Sequence, residues 1–319
     1  MDSFQLALEN LTSPPVLAFV LGALAVVLKS DLRLPDPIHT WLSTYLLLAI
    51  GLKGGHALKS TSAGDIALPL VGTLVLAVIT PAAVFVVART LLRRPTADAG
   101  AIAAHYGSVS VVTFTAATVF AAGAGYDVEP FMTALVAVLE VPGILVALVL
   151  TSMMGTGTSW RSAAHEVLTG RSVLLLAGGI AIGAVSHEST YAKVEPLFVG
   201  LFTGLLTLFL LDMGATAASA LRSTRVLDVR VVTFGLVTPL VFGTLGVLLG
   251  TACGLGIGGA GVFGTMAASA SYIAAPAATR IAIPSAHPGL ALGVSLGVTF
   301  PLNLTVGIPL YFALARVVG

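Results

Sequence analysis

Long apolar runs recur along the whole of this 319-residue chain with only short hydrophilic gaps between them, and no soluble architecture can bury so many. Charged residues make up 9% of the sequence and hydrophobic ones 57%, whereas a soluble domain carries about 25% charged residues. A helix crosses ~30 Å of hydrocarbon with roughly 17 to 25 mostly apolar residues. Ten segments meet or approach that length: Val16–Leu28, Thr40–Leu58, Ile66–Leu92, Ala99–Ala124, Phe131–Met154, Val173–Ser186, Leu197–Leu221, Val231–Leu255, Gly259–Ile283 and Gly289–Val318. None alternates apolar with polar residues as a barrel strand would, and a helix satisfies its own backbone hydrogen bonds in lipid. The expected fold is therefore an all-α integral membrane protein with ten transmembrane helices.

A formal net charge of +1 leaves no basic stripe for a nucleic acid, and the single Cys253 excludes an intrachain disulfide. No Lys or Arg precedes Lys29, so the start lacks the basic region of a cleaved signal peptide and the first span is expected to be retained. Basic residues in short connections favour the cytoplasm. With both termini outside, Lys29, Arg33, Arg89, Arg93, Arg94, Arg161, Arg171, Arg222, Arg225, Arg230 and Arg280 fall inside, and only Lys53, Lys59, Lys193 and Arg316 outside. Lys53, near the outer end of its span, is expected to snorkel.

The chain matches itself in four places at a nearly constant offset. Thr44–Gly51 resembles Thr207–Gly214, Thr80-Pro81 recurs as Thr238-Pro239, Ser108-Val-Ser110 as Ser269-Ala-Ser271, and Val141-Pro142 as Phe300-Pro301. Residues 1–154 and 172–319 are then two five-helix repeats, joined by a cytoplasmic linker at 155–171. Because five is odd, the second repeat enters the membrane upside down. Such 5+5 inverted repeats are a mark of secondary transporters, whose solute site lies near the midplane where two interrupted helices cross.

The fourth and ninth spans have the composition for that crossing. Gly107, Ser108, Ser110 and Thr113 crowd one, Ser269 and Ser271 the other, and Pro276 is expected to break the ninth by removing a backbone donor. Broken helices present unpaired N–H groups and a partial positive charge, an anion cradle without Lys or Arg. These six small residues are the candidate substrate-binding set, although the same residue types also line ordinary helix contacts. Ionisable groups within a bilayer cost about 2.5 to 3.5 kcal/mol each on insertion scales. Glu140 and Asp212, both mid-span, are therefore candidates for ion coupling, with the neutral Asn303 and Tyr272 as further candidates.

Two motifs mislead. Gly293-Val-Ser295-Leu-Gly297 has the spacing of a nucleophile elbow and Gly254-Leu-Gly256-Ile-Gly258-Gly259 that of a dinucleotide loop, but both need a strand leading into a helix. Gly246, Gly250, Gly254 and Gly258 instead repeat at the spacing of close helix packing. The six histidines show no metal-ligand spacing, and only His105 lies next to the proposed site. A hydrolase built on Glu140 and Asp212 would lack a nucleophile or metal set, and a passive channel needs no inverted repeat; the chain is not expected to be an enzyme.

At these residues the sequence resembles the SbtA-type sodium-dependent bicarbonate transporters. The likeness is carried by Ala267–Pro276, continuing through Arg280-Ile-Ala-Ile-Pro284-Ser285-Ala286-His287-Pro288 to Pro301 and Gly307–Leu310, and by Ile50–Gly55 and Tyr106–Ser110 in the first half. The resemblance implies import of bicarbonate with sodium across the plasma (inner) membrane by a homotrimer, and in cyanobacterial members control by a PII-like protein on the cytoplasmic face. It places Ser108, Ser110, Ser269 and Ser271 on the family's serine positions and Glu140 on its acidic position before a proline. The chain departs from the cyanobacterial pattern at Tyr272, where that pattern has an acid, at Ala274 and Ala275, and in its shorter linker. A carrier of another small anion, such as a short carboxylate coupled to sodium or protons, is the alternative on the same fold.

Overall fold

The structure, a computed structural model, describes residues 3–30, 32, 34–154, 160–223 and 227–319. Arg33 and Arg225, counted above on the cytoplasmic side, and residues 155–159 of the linker lie outside them. Among the described residues every regular element is helical. Helix α1 (Ser3–Leu11) precedes α2 (Pro14–Val27), α3 (Asp36–Leu58) and α4 (Ala63–Thr90). Next come α5 (Thr96–Gly107) and α6 (Val111–Gly123), then α7 (Met132–Glu140) and α8 (Pro142–Met153). The expected linker is largely helical, as α9 (Trp160–Thr169), and leads into α10 (Arg171–Val185). A wide π turn at Pro196–Gly200 follows α11 (Glu188–Glu195) and precedes α12 (Phe202–Ser223). After α13 (Val229–Ala252) come α14 (Ile257–Ala268) and α15 (Ala274–Ala282). The chain ends in α16 (Pro288–Val294), α17 (Phe300–Leu302) and α18 (Ile308–Val318), joined by π turns at Ser295–Thr299 and Asn303–Gly307.

Local chemistry explains several boundaries. Ser62 caps α4 by accepting the Asp65 amide, and Asp228 caps α13 by accepting the Val231 amide at 3.0 Å. That amide, helped by the Arg94 guanidinium 2.5 Å from its carboxylate, holds Asp228 below the ordinary carboxylate range. Pro142 opens α8 at a position where its missing N–H costs nothing. Pro276 does the same in the first turn of α15, so it starts the second piece of the ninth span rather than breaking the first. The break itself lies at Ser269–Ile273, and this corrects the expectation that proline creates it.

Among the described residues six helical stretches are long and apolar enough to cross a membrane, and α2, α10 and α14 are shorter apolar helices. The remaining expected span falls on α3, 23 residues long and carrying Asp36 and Lys53. Two of the six are central: 78% of the apolar window of Thr96–Gly123 and 72% of that of Gly289–Val318 are buried, against 44% or less in the others. By contrast α4 exposes Leu68, Val71, Val75, Val78 and Ile79, and α13 exposes Val237, Val241, Leu245 and Leu248, faces suited to lipid.

Helix α2 lies along α12, and α3 along α10. Both contacts need glycine, since a Cβ at Gly22 would overlap the Leu211 carbonyl and one at Gly214 the Phe19 carbonyl, while Gly51 and Gly55 meet Gly179 and Ile180. Helix α4 packs on α5 and α13 on α14; α5 also packs on α8 and α14 on α18. Gly246 and Gly250 serve the α13–α14 contact as expected. Gly254 and Gly258 do not: Gly254 turns the chain at φ 85°, and Gly258 lies against the Asp127 carbonyl. Lys53 is exposed, with Nζ 4.9 Å from the centre of the Phe202 ring.

The buried apolar residues form two clusters. One contains the walls of α6 and α14 with parts of α2, α3, α7 and α12; the other contains α5 and α15 with parts of α4, α8 and α13. The breaks between α5 and α6 and between α14 and α15 fall where these cores meet. Two fastenings secure the far ends of the interrupted helices. Glu129, before α7, accepts the Gly256 amide at 2.6 Å, and a Cβ at Gly259 would overlap its carboxylate. Asp98, in the first turn of α5, accepts the His287 amide at 2.7 Å, just before α16.

Candidate functional site

The two breaks are bonded to each other. The Ser110 amide donates to Ser269 Oγ at 2.9 Å, and the Ser271 amide donates to the His105 carbonyl at 2.7 Å. Both serines also take up a first-turn amide of the helix that follows: Ser110, the N-cap of α6, accepts the Thr113 amide on Oγ at 3.1 Å, and Ser271, two residues before the Ile273 that precedes α15, accepts the Ala275 amide on Oγ at 3.3 Å. Ser269 Oγ donates to the Met266 carbonyl at 2.8 Å, and Ser108 Oγ donates to the Glu140 carbonyl at 2.9 Å. The breaks between α5 and α6 and between α14 and α15 thus meet at a layer of serines.

A cavity of about 10 Å³ lies at the crossing, lined by Ser110, Ser271, Tyr272, Glu140, Ser172 and the apolar Leu47 of α3. It has room for about one water in this conformation. Helices α6 and α15 both begin here, and each start carries four amides without intrahelical acceptors and roughly half a positive charge. Each capping serine answers one of those amides, so the rest give the cavity an anion-attracting wall with no cationic side chain.

Glu140 ends α7 and is only 2% exposed. Its carboxyl engages the Ser172 hydroxyl in the first turn of α10, while Oε2 is buried without a partner. The Tyr272 hydroxyl lies beside Ser110 but makes no hydrogen bond of good geometry, its ring held edge-on against Phe300 at 5.3 Å. Two buried oxygens in one polar cavity thus await a partner, and an all-oxygen set suits a hard cation or a proton on the carboxylate.

The other candidates sit at different places. Gly107 is a packing residue, its carbonyl against Gly143 and its Cα against Pro81. Thr113 is buried in the first turn of α6 and Ser269 behind the cavity wall. Asn303 Nδ2 donates to the Ala268 carbonyl at 2.8 Å and its Oδ1 accepts from the Tyr311 hydroxyl at 3.1 Å, so it finishes α14. Asp212 does not line the cavity: His39 Nδ1 lies 2.6 Å from one of its oxygens and the Leu34 amide 3.3 Å from the other. Ser172 was not foreseen, because it stands at the seam between linker and second half with no motif around it.

A family model described as the Na+-dependent bicarbonate transporter superfamily matches residues 14–316. No curated protein matches the chain.

Proposed function

Since the chain belongs to the Na+-dependent bicarbonate transporter superfamily, we propose that it imports bicarbonate as a secondary active transporter coupled to sodium. The observation that carries this reading is the meeting of two helix starts, two capping serines and a buried acid in one cavity. Bicarbonate is small, singly charged and rich in acceptors, so the free amides of α6 and α15 with Ser110 and Ser271 suffice to hold it. Sodium would sit against Glu140 Oε2 and the Tyr272 hydroxyl, and its charge would offset that of the anion. Tyr272 then supplies a neutral oxygen where the family's cyanobacterial pattern has an acid.

The ten-span, 5+5 inverted arrangement is part of the same proposal, and the packing supports it. Gly51 and Gly214, aligned by the repeat, each sit where their helix crosses the first span of the other half, α10 for Gly51 and α2 for Gly214. Ser110 and Ser271, equally aligned, each donate their amide across the crossing, to Ser269 Oγ and to the His105 carbonyl, and each accept an amide of the helix that follows. Two exchangeable halves give one molecule inward-open and outward-open states. We place both termini outside the plasma membrane on the distribution of Lys and Arg. A homotrimer and a PII-like cytoplasmic partner rest on the family resemblance alone, and light scattering and co-purification would test them.

Uptake of labelled bicarbonate into proteoliposomes with and without an inward sodium gradient tests the core reading. Uptake should rise with the gradient; equal uptake in both would remove sodium coupling. The unpartnered Glu140 Oε2 also favours a second reading, in which a proton is the coupling ion and a short carboxylate is carried. Stimulation by an inward proton gradient alone, with formate competing fully, would select it.

A further inference from the structure

On the α5 and α15 side of the crossing lies a much larger cavity, about 390 Å³, lined by His105, Thr279, Arg280 and His287. His105 joins the two places, because its carbonyl accepts the Ser271 amide and the residue lines this cavity. The ring is 2% exposed. Nδ1 lies 2.8 Å from the Ala101 carbonyl, which can only accept, so Nδ1 carries a hydrogen and, in the neutral ring, Nε2 presents a lone pair. Nε2 is buried and has no partner. A buried acceptor left open is costly unless something fills it. Arg280, in the last turn of α15, brings a fixed positive charge to the same cavity. His287 Nδ1 accepts the Gly289 amide at 3.2 Å, which leaves its Nε2 as a donor.

We propose that this cavity is a second anion subsite, in which His105 Nε2 accepts the O–H of a small hydrogen-bearing oxyanion while Arg280 faces its charged oxygens. The inference rests on the transport reading above and deepens it. An acceptor paired with a cation fits hydrogencarbonate, which has one O–H and one charge, and not formate or nitrate, which have the charge without the O–H. At the crossing cavity the helix-start amides are donors and read only the charged oxygens that all three anions share. The subsite therefore supplies selectivity on the path between the serine layer and the inner surface.

Equilibrium binding of labelled bicarbonate and of labelled formate to the full chain in detergent tests this. Wild-type protein should show a bicarbonate binding event beyond the one removed by Ser110→Ala with Ser271→Ala. That event should weaken at least about tenfold in His105→Leu, as expected for losing a hydrogen bond to a charged ligand, and similarly in Arg280→Gln. Formate affinity should not change in His105→Leu. Arg280 is exposed, so its variant reads the cavity even if the buried His105 variant folds poorly. A bicarbonate isotherm unchanged in both variants overturns the subsite and leaves the crossing site standing. Loss of all binding in the double serine variant overturns it too, as does an equal fall for formate in His105→Leu. Absence of binding in wild type, with no uptake, would remove the transport reading as well.

Discussion

Replacing Ser269 or Ser110 by alanine separates the two tasks performed at the crossing. Ser269 Oγ accepts the Ser110 amide at 2.9 Å and donates to the Met266 carbonyl at 2.8 Å, in a residue 1% exposed. Ser269→Ala strands the Ser110 N–H in the interior, and an orphaned buried donor costs about 1 to 3 kcal/mol; the lost second bond adds about 1 kcal/mol. Ser110→Ala removes only the cap on Thr113, worth about 1 kcal/mol, because the bond to Ser269 belongs to the main chain. We expect Ser269→Ala to lose roughly 2 to 4 kcal/mol and Ser110→Ala roughly 1 kcal/mol. Transport should rank them the other way, since Ser110 lines the cavity and Ser269 does not. Denaturant titration of the full chain in micelles gives the stabilities, and proteoliposome uptake across bicarbonate concentrations gives the KM. The reasoning fails if Ser110→Ala is the less stable of the two, or if its KM equals that of wild type.

Two further outcomes follow from single carboxylates. Glu140→Gln keeps the shape but removes the charge beside Ser172, so the sodium concentration for half-maximal uptake should rise by about tenfold or more, the equivalent of about 1.4 kcal/mol; an unchanged sodium dependence would move the cation elsewhere. Asn caps a helix about as well as Asp, so Asp228→Asn isolates the charge that the Val231 amide and Arg94 stabilise. Because the folded Asp228 is held below its unfolded value, near about 3.9, the wild-type advantage is full above that pH and disappears as pH falls through the lower folded value. Unfolding titrations of both proteins from about pH 7 down to about pH 3 should converge only at the acid end.

Ser110, Ser271 and Glu140 were legible because lipid makes polar residues conspicuous: hydroxyls clustered with glycine, or an acid alone in an apolar run, stand out against such a background. What they touch was not legible. Gly107 looked like part of the substrate wall, but a glycine shows only that something comes close, and here it is Gly143 and Pro81 of neighbouring helices. Asp212 had the same sequence signature as Glu140; the His39 that pairs with it comes from the start of α3, a partner that no local spacing announces. Gly258 suggested helix packing, yet its chief neighbours are Asp127 and Tyr126 of a loop. The apolar helices were legible because hydrophobicity is a local property, whereas breaks such as Ser269–Ile273 depend on the partner that meets the exposed backbone.

The fastening of Glu129 to the start of α14 sets a measure of depth. From that one point two legs descend side by side: α14, 12 residues and so roughly 18 Å, ends at Ser269, and α7, 9 residues and roughly 13.5 Å beyond its short lead-in, ends at Glu140. The acid and the second break come together at the ends of these two legs, with Pro130 and Phe131 ahead of α7 making up part of the difference in length. A residue inserted in either leg would rotate its end by about 100° and lower it by about 1.5 Å, putting the two out of step.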